Sequence, residues 1–278
     1  QYTCAYWSSR DISLEQAQLD KKAHIASKLN LRPGLKILDI GCGWGGLALY
    51  LHRVSGAEVL GVALAEEQIK LARERAEAAG VADKVRFELM DYRDLQGRFD
   101  RITNVGLLEH VGPPHYPEFF RKCHDLLADD GVMLTHCIGR MGKPGVTDRW
   151  TSKYIFPGGY IPALSEIVSV SERHRLAITD IETLRRHYGY TLEQWYRRTN
   201  QNSDEIVALY DERFFRMWQF YLAGAEAAFQ HGGMVNYQLQ FVRNRDALPL
   251  TRDYMFEAEA KLRALNLSAP LDGRAAAE

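Results

Sequence analysis

Between residues 14 and 137, short apolar runs alternate with longer stretches whose apolar positions recur every three or four residues. Leu14 to Leu29 has this helical spacing, with charged residues along one face. Lys36 to Ile40 reads as a first strand, then a helix from about Leu47 to Val54, then a second strand, Glu58 to Val62. Glu66 to Ala79 is rich in strong helix formers and stops at Gly80. Val85 to Leu89 is a third strand, and Phe99 to Val105, after the turn at Gly97, a fourth. A helix from about Tyr116 to Leu127 leads through Asp129-Asp130-Gly131 into a fifth strand, Val132 to Cys137. Strands spaced by helices in this way predict an α/β fold whose parallel sheet is covered on both faces.

The alternation then breaks. Gly139 to Pro162 holds five glycines and three prolines interleaved with aromatic residues. A connection this long is functional or disordered, and its aromatic content argues against disorder. A sixth strand is predicted over Arg175 to Glu182, helical structure over most of Thr191 to Gln230, and a last strand over Tyr237 to Val242. The division expected is a domain over residues 1–245 and a polar tail, 246–278, with a helical patch at Phe256 to Leu265 and a frayed end.

Lys and Arg number 35 and Asp and Glu 36, so no global field favours nucleic acid. The apolar runs fall far short of the roughly 18 residues of a membrane span, and no signal-peptide pattern opens the chain. Cys4, Cys42, Cys123 and Cys137 show neither a C-x-x-C pair nor zinc spacing; they predict no metal and suit a reducing cytosol.

The densest chemical signal is Leu38-Asp39-Ile40-Gly41-Cys42-Gly43-Trp44-Gly45-Gly46, an apolar strand ending in an acid and a Gly-rich turn. Glycine admits a positive φ and lets backbone approach a ligand, here at the carboxyl end of a strand. Gly41, Gly43 and Gly46 satisfy the dinucleotide fingerprint G-x-G-x-x-G. That reading requires an acid at the end of the second strand for the ribose, yet Gly61-Val62-Ala63-Leu64-Ala65 has none before Glu66. Asp39 would repel a pyrophosphate but suits the ammonium and sulfonium of S-adenosylmethionine. The bland alternative is a plain Gly-rich turn.

Several segments resemble the cyclopropane-fatty-acyl-phospholipid synthases and mycolic acid methyltransferases. They are Gln1-Tyr2-Thr3-Cys4-Ala5-Tyr6-Trp7, the glycine turn, Val105-Gly106-Leu107-Leu108-Glu109-His110-Val111-Gly112, His136-Cys137-Ile138-Gly139, Lys153-Tyr154-Ile155-Phe156-Pro157-Gly158-Gly159 and His187-Tyr188-Gly189-Tyr190-Thr191-Leu192. The resemblance runs to about Arg245, and its opening and Y-I-F-P-G-G segments are the more specific. It implies a Rossmann-like class I methyltransferase with a seven-stranded, mostly parallel sheet and a lid loop inserted after strand five. Bacterial members carry a smaller lipid-binding domain ahead of this one, so the expectation is that this domain is absent from the present chain.

The resemblance also implies a bound bicarbonate ion as base, held by Cys4, Glu109, His136, Ile138 and Tyr188. Donors and acceptors of suitable type are there: the Glu109 carboxylate, the His136 ring, the Tyr188 hydroxyl and the Ile138 amide. Each has an ordinary alternative. Glu109 could cap a helix, His136 could be a satisfied core histidine, Cys4 an inert thiol, and Tyr188 part of a solvated basic turn. By the same resemblance, Gly41 and Gly43 approach the cofactor, and Tyr2 and Thr3 fold over its amino-acid end. Leu64 is a further cofactor contact, Gln68 approaches the ribose, and Asp91 and Tyr92 the adenine. Ala63 departs from the family's usual threonine, and Ala225 from a common cysteine. Tyr154, Phe156, Tyr160, Phe214, Phe215, Trp218 and Tyr221 are candidates for an acyl pocket or for plain core. Arg140, Lys143, Arg149 and Lys153 make the long loop basic, for lipid phosphates or for solvent.

The activity implied is methyl transfer to a cis double bond of unsaturated phospholipid acyl chains, closed to a cyclopropane by bicarbonate-assisted deprotonation. The enzyme would be cytoplasmic, peripherally membrane-associated and possible as a homodimer. The rivals are a sibling methyltransferase giving methylene- or methyl-branched chains, a small-molecule N- or O-methyltransferase, and a cofactor-binding module without catalysis.

Overall fold

The computed structural model describes residues 1–268. In chain order the elements are α1 (Leu14–Lys28), β1 (Lys36–Ile40), α2 (Gly46–Ser55), β2 (Glu58–Ala63), α3 (Glu66–Ala78), β3 (Val85–Leu89) and β4 (Phe99–Val105). There follow α4 (Leu108–Val111), α5 (Tyr116–Leu126), β5 (Leu127–Arg140), α6 (Arg149–Tyr154), α7 (Leu164–Arg173) and β6 (Ala177–Thr183). The last are α8 (His187–Gln201), α9 (Ser203–Leu209), α10 (Glu212–Gln230), β7 (Met234–Val242) and α11 (Asp253–Ser268).

The seven strands form one sheet in the order β3-β2-β1-β4-β5-β7-β6. All neighbours are parallel except β7, which runs antiparallel to both β5 and β6. The order reverses between β1 and β4, and α/β sheets bind ligands at such a switch point. Apolar side chains fill both sides. Phe119, Phe120, Tyr116, Leu126 and Phe241 pack on one face. Ile25, Leu29, Ile37, Leu51, Ile69 and Phe87 pack on the other. Each such side chain contributes about 1.5–3 kcal/mol when fully buried.

Several boundaries differ from the sequence reading. β5 runs on through Asp129-Asp130-Gly131 and begins at Leu127, with a register shift against β4 between Phe99 and Arg101. β6 starts at Ala177 because Arg175 has φ 56° and cannot continue a strand. The long loop contains a short helix, α6, started by Asp148, whose carboxylate accepts from the Thr151 amide. The frayed end expected of the tail lies outside the described residues.

The charged side of α1 is covered, contrary to what its polarity suggests. Asp20, Lys21, Lys22, His24 and Lys28 are each less than 10% exposed. The tail supplies part of the cover: α11 is longer than the patch read in the sequence and lies on α1. There Glu259 meets His24 at 2.9 Å, Arg263 meets Asp20 at 3.2 Å, and Asn266 bonds Arg53 and Tyr50. On the other side, His24 meets Glu182 at 2.6 Å, and Lys28 pairs with Glu182 and Asp180. Among the described residues, no helix is long and apolar enough to cross a membrane.

Candidate active site

The carboxyl ends of β1, β2, β3 and β4 open into a cavity of about 850 Å³. Gly41 and Cys42 begin its floor, their amides donating to Val62 O at 2.8 and 3.1 Å and so tying the turn to β2. A Cβ on Gly45 would stand 2.7 Å from Phe87 Cζ and 2.9 Å from Ala72 Cβ, so this glycine serves close packing. A Cβ on Gly43 would meet nothing within 4 Å; its φ of 53° opens the turn into the cavity.

Each residue expected to meet the cofactor lines this one cavity: Tyr2, Thr3, Asp39, Gly41, Gly43, Leu64, Gln68, Asp91 and Tyr92. Asp39 is 2% exposed and its Oδ2 has no hydrogen-bond partner. Burial pushes its carboxyl up to about 7, against the pull of the Lys21 ammonium. Tyr2 and Thr3 lie over the cavity because α1 holds them there. Gln18 Nε2 donates to Thr3 O at 2.9 Å, and Lys21 Nζ donates to Thr3 Oγ1 at 2.8 Å. The Asp91 carboxylate is bound by Arg93 at 2.6 Å and held below the usual carboxylate range. Lys21, Trp44 and His110 also line the cavity and were not singled out in the sequence. Lys21 carries no sequence signal, since a lysine on a charged helix face reads as solvated.

The residues expected to hold the base form a second group. Glu109, on α4, is 8% exposed. Its Oε1 accepts from the Ile138 amide at 2.6 Å, while Oε2 is buried without a partner. Desolvation pushes this carboxyl up to about 7. Cys4 and Tyr188 pack together in one apolar cluster, with Ile138 against it. Burial holds the Cys4 thiol and the Tyr188 hydroxyl protonated. His136 is 1% exposed, its ring between Asn236 Nδ2 at 3.3 Å and Gln238 Nε2 at 3.0 Å. Burial holds it neutral. A neutral ring has one N–H and one lone pair, so one of these amides must present its oxygen. The structure thus joins Glu109 to Ile138 and Cys4 to Tyr188, and holds the His136 ring with β7.

Aromatic rings connect the two groups. Tyr2 stacks on Trp195 at 4.8 Å and Trp218 at 6.3 Å. Phe214, Trp218 and Tyr221 form a continuous row on α10, and Phe156 meets Tyr221 edge-on at 5.8 Å. In the long loop Lys143, Arg149 and Lys153 are exposed, whereas Arg140 turns inward to Ile161 O.

A Rossmann-like sheet, this glycine turn and an acid beneath a covering amino-terminal segment together define the class of S-adenosylmethionine-dependent methyltransferases. The chain belongs to the mycolic acid cyclopropane synthetase family, which matches residues 1–239. It is 42% identical over 243 residues to the cyclopropane-fatty-acyl-phospholipid synthase of Escherichia coli K12, covering 87% of this chain and 62% of that one. It is 38% identical over 267 residues to a Pseudomonas putida protein named "Probable fatty acid methyltransferase", covering 92% of this chain and 68% of that one. The chain thus spans about two thirds of these relatives. Among solved structures, mycolic acid cyclopropane synthase CmaA1 complexed with SAH and CTAB superposes with a TM-score of 0.82 at 28% identity, over 87% of this chain and 89% of that one.

Proposed function

We propose that this chain transfers a methyl group from S-adenosylmethionine to a cis double bond in a phospholipid acyl chain, and that proton loss to a bound bicarbonate then closes a cyclopropane. The observation that carries the reading is Glu109. It is a buried carboxyl with one oxygen orphaned, beside a backbone amide at Ile138 and next to a wall of aromatic rings. When bound, the cofactor supplies an electrophilic methyl and the bicarbonate a base.

The residues present fit both groups. Gly43 leaves room for the cofactor, Asp39 offers an unpaired carboxylate oxygen to its ammonium, and Tyr2 and Thr3 cover its amino-acid end. The Glu109 Oε2 can accept the hydroxyl of bicarbonate, and the Tyr188 hydroxyl and Ile138 amide are donors for its oxygens. His136, its ring engaged by β7, positions the end of β5. Phe156, Trp218 and Tyr221 exclude water and present faces that stabilise positive charge on the acyl chain without quenching it. CTAB in the related CmaA1 structure is an alkyl-chain cation, in keeping with a lipid-accepting site. The substrate would be met at the cytoplasmic face of a membrane, by a monomer or a homodimer.

A second reading gives a methylene- or methyl-branched chain, with which the Pseudomonas putida relative's name, a probable fatty acid methyltransferase, is compatible. Incubation with unsaturated phospholipid vesicles and labelled S-adenosylmethionine, followed by mass spectrometry of the acyl products, separates the two. A label found only in a water-soluble amine or hydroxyl acceptor overturns both.

A further inference from the structure

Lys21 is a lysine 1% exposed, on a helix whose apolar spacing gives no reason to bury a charge. It lines the same cavity as Asp39, itself 2% exposed. Its ammonium donates to Thr3 Oγ1 at 2.8 Å, and Thr3 Cγ2 would in turn lie 3.3 Å from a Cβ on Gly106, across the cavity mouth. One turn earlier, Gln18 donates to the carbonyls of Gln1 and Thr3 at 3.3 and 2.9 Å. Cation, carboxylate and covering segment are thus one assembly, placed where a ligand with both an ammonium and a carboxylate would end.

We propose that Lys21 is a positioning residue for the amino-acid end of the cofactor: its ammonium clasps Thr3 over that end and stands in the same cavity as the counter-charge to the Asp39 carboxylate that receives the cofactor's ammonium. The inference rests on the cofactor reading above and adds to it a determinant of selectivity. A pocket with a balanced pair of buried charges favours a zwitterionic amino acid over the same nucleoside without it.

The electrostatics agree. Desolvation raises the Asp39 carboxyl to about 7, and Lys21 is the charge that opposes the rise. The Cys42 thiol, next along from β1, also faces Asp39 and is held neutral by burial. Lys21 further faces Cys4 and His136, both held neutral by burial. Without Lys21, the carboxyl would take up a proton at a higher pH.

The test is the affinity for S-adenosylhomocysteine, measured by calorimetry between pH 6 and 8. Methylthioadenosine, which lacks the amino-acid end, serves as the control ligand. In the parent protein, affinity for S-adenosylhomocysteine should rise as Asp39 ionises. A neighbouring opposite charge moves a carboxylate by about one to three units, so Lys21→Met should shift that rise upward by about one unit and weaken binding about fivefold at pH 7. Lys21→Arg should restore the profile, and Asp39→Asn should flatten it. Thr3→Val should weaken binding without moving the profile. Methylthioadenosine should bind all variants alike. An unshifted profile in Lys21→Met, or an equal loss for methylthioadenosine, overturns the inference and leaves the cofactor reading standing. Failure of the parent to bind either nucleoside overturns the cofactor reading itself. If Lys21→Met does not fold, Lys21→Gln, which also removes the charge, is read against the same upward shift.

Discussion

At the scale of single residues, the proposed site rests on two carboxyls that burial has brought to the edge of neutrality, Asp39 and Glu109. Glu109→Gln should leave cofactor affinity nearly unchanged and cut turnover by about 10² or more, the usual range for loss of a group acting in proton transfer. Gln keeps an acceptor but loses the charge and can present its amide the wrong way round. Turnover that is normal in bicarbonate-free buffer would remove the anion from the mechanism. Gly43→Val should abolish S-adenosylmethionine binding in a calorimetric titration. The cavity is open at that position, so a branched side chain at φ 53° would both strain the turn and fill the ligand's space. Unchanged affinity would displace the cofactor from this turn.

At the scale of elements, α1 differs most from its sequence. The strands and the glycine turn were legible because their signals are local: apolar runs, punctuating glycines, an acid at a strand end. The cover on α1 was not, because a row of charges looks the same whether water or other charges face it. The same limit hid Lys21 and the hold that Asn236 and Gln238 keep on His136, since all depend on partners remote in sequence. The burial of His24 has a consequence for pH. Desolvation alone would lower its pKa, but hydrogen bonds to Glu182 and Glu259 outweigh this and raise it. The other groups facing it are Lys28 on α1, Tyr6 stacked at 4.0 Å, and His187 beyond Tyr6. A histidine raised on folding stabilises fully below its unfolded pKa of about 6.5, and the gain is lost as pH climbs through the folded value. The protein's melting temperature should therefore fall from pH 6 to pH 8 more steeply than that of His24→Gln. Glu259→Gln should cost about 1.5–3 kcal/mol at pH 6, as for a hydrogen bond to a charged group, and less at pH 8. Parallel pH profiles for parent and His24→Gln would show that the charge is absent.

At the scale of the whole molecule, the amino-terminal segment belongs to every part of the site. Tyr2 lines the cofactor cavity and stacks on Trp195 and Trp218; Cys4 packs with Tyr188. Ala5 N and Trp7 Nε1 both donate to Thr191 Oγ1 at 3.1 Å, and Trp7 N donates to His187 Nδ1 at 2.9 Å. The segment covers the cavity with Tyr2 and Thr3 while Cys4 packs into the apolar cluster around Tyr188. On the proposed function, it could not lift to admit the nucleoside with an acyl chain held against Tyr2. If the proposed function holds, turnover should follow a compulsory sequence, with S-adenosylmethionine first on and S-adenosylhomocysteine last off. In initial-rate measurements S-adenosylhomocysteine should compete with S-adenosylmethionine and act as a non-competitive inhibitor toward lipid. At saturating S-adenosylmethionine, inhibition by the spent nucleoside should vanish at any lipid concentration, and a lipid-bound enzyme that still exchanged its nucleoside would show the roof to be hinged elsewhere.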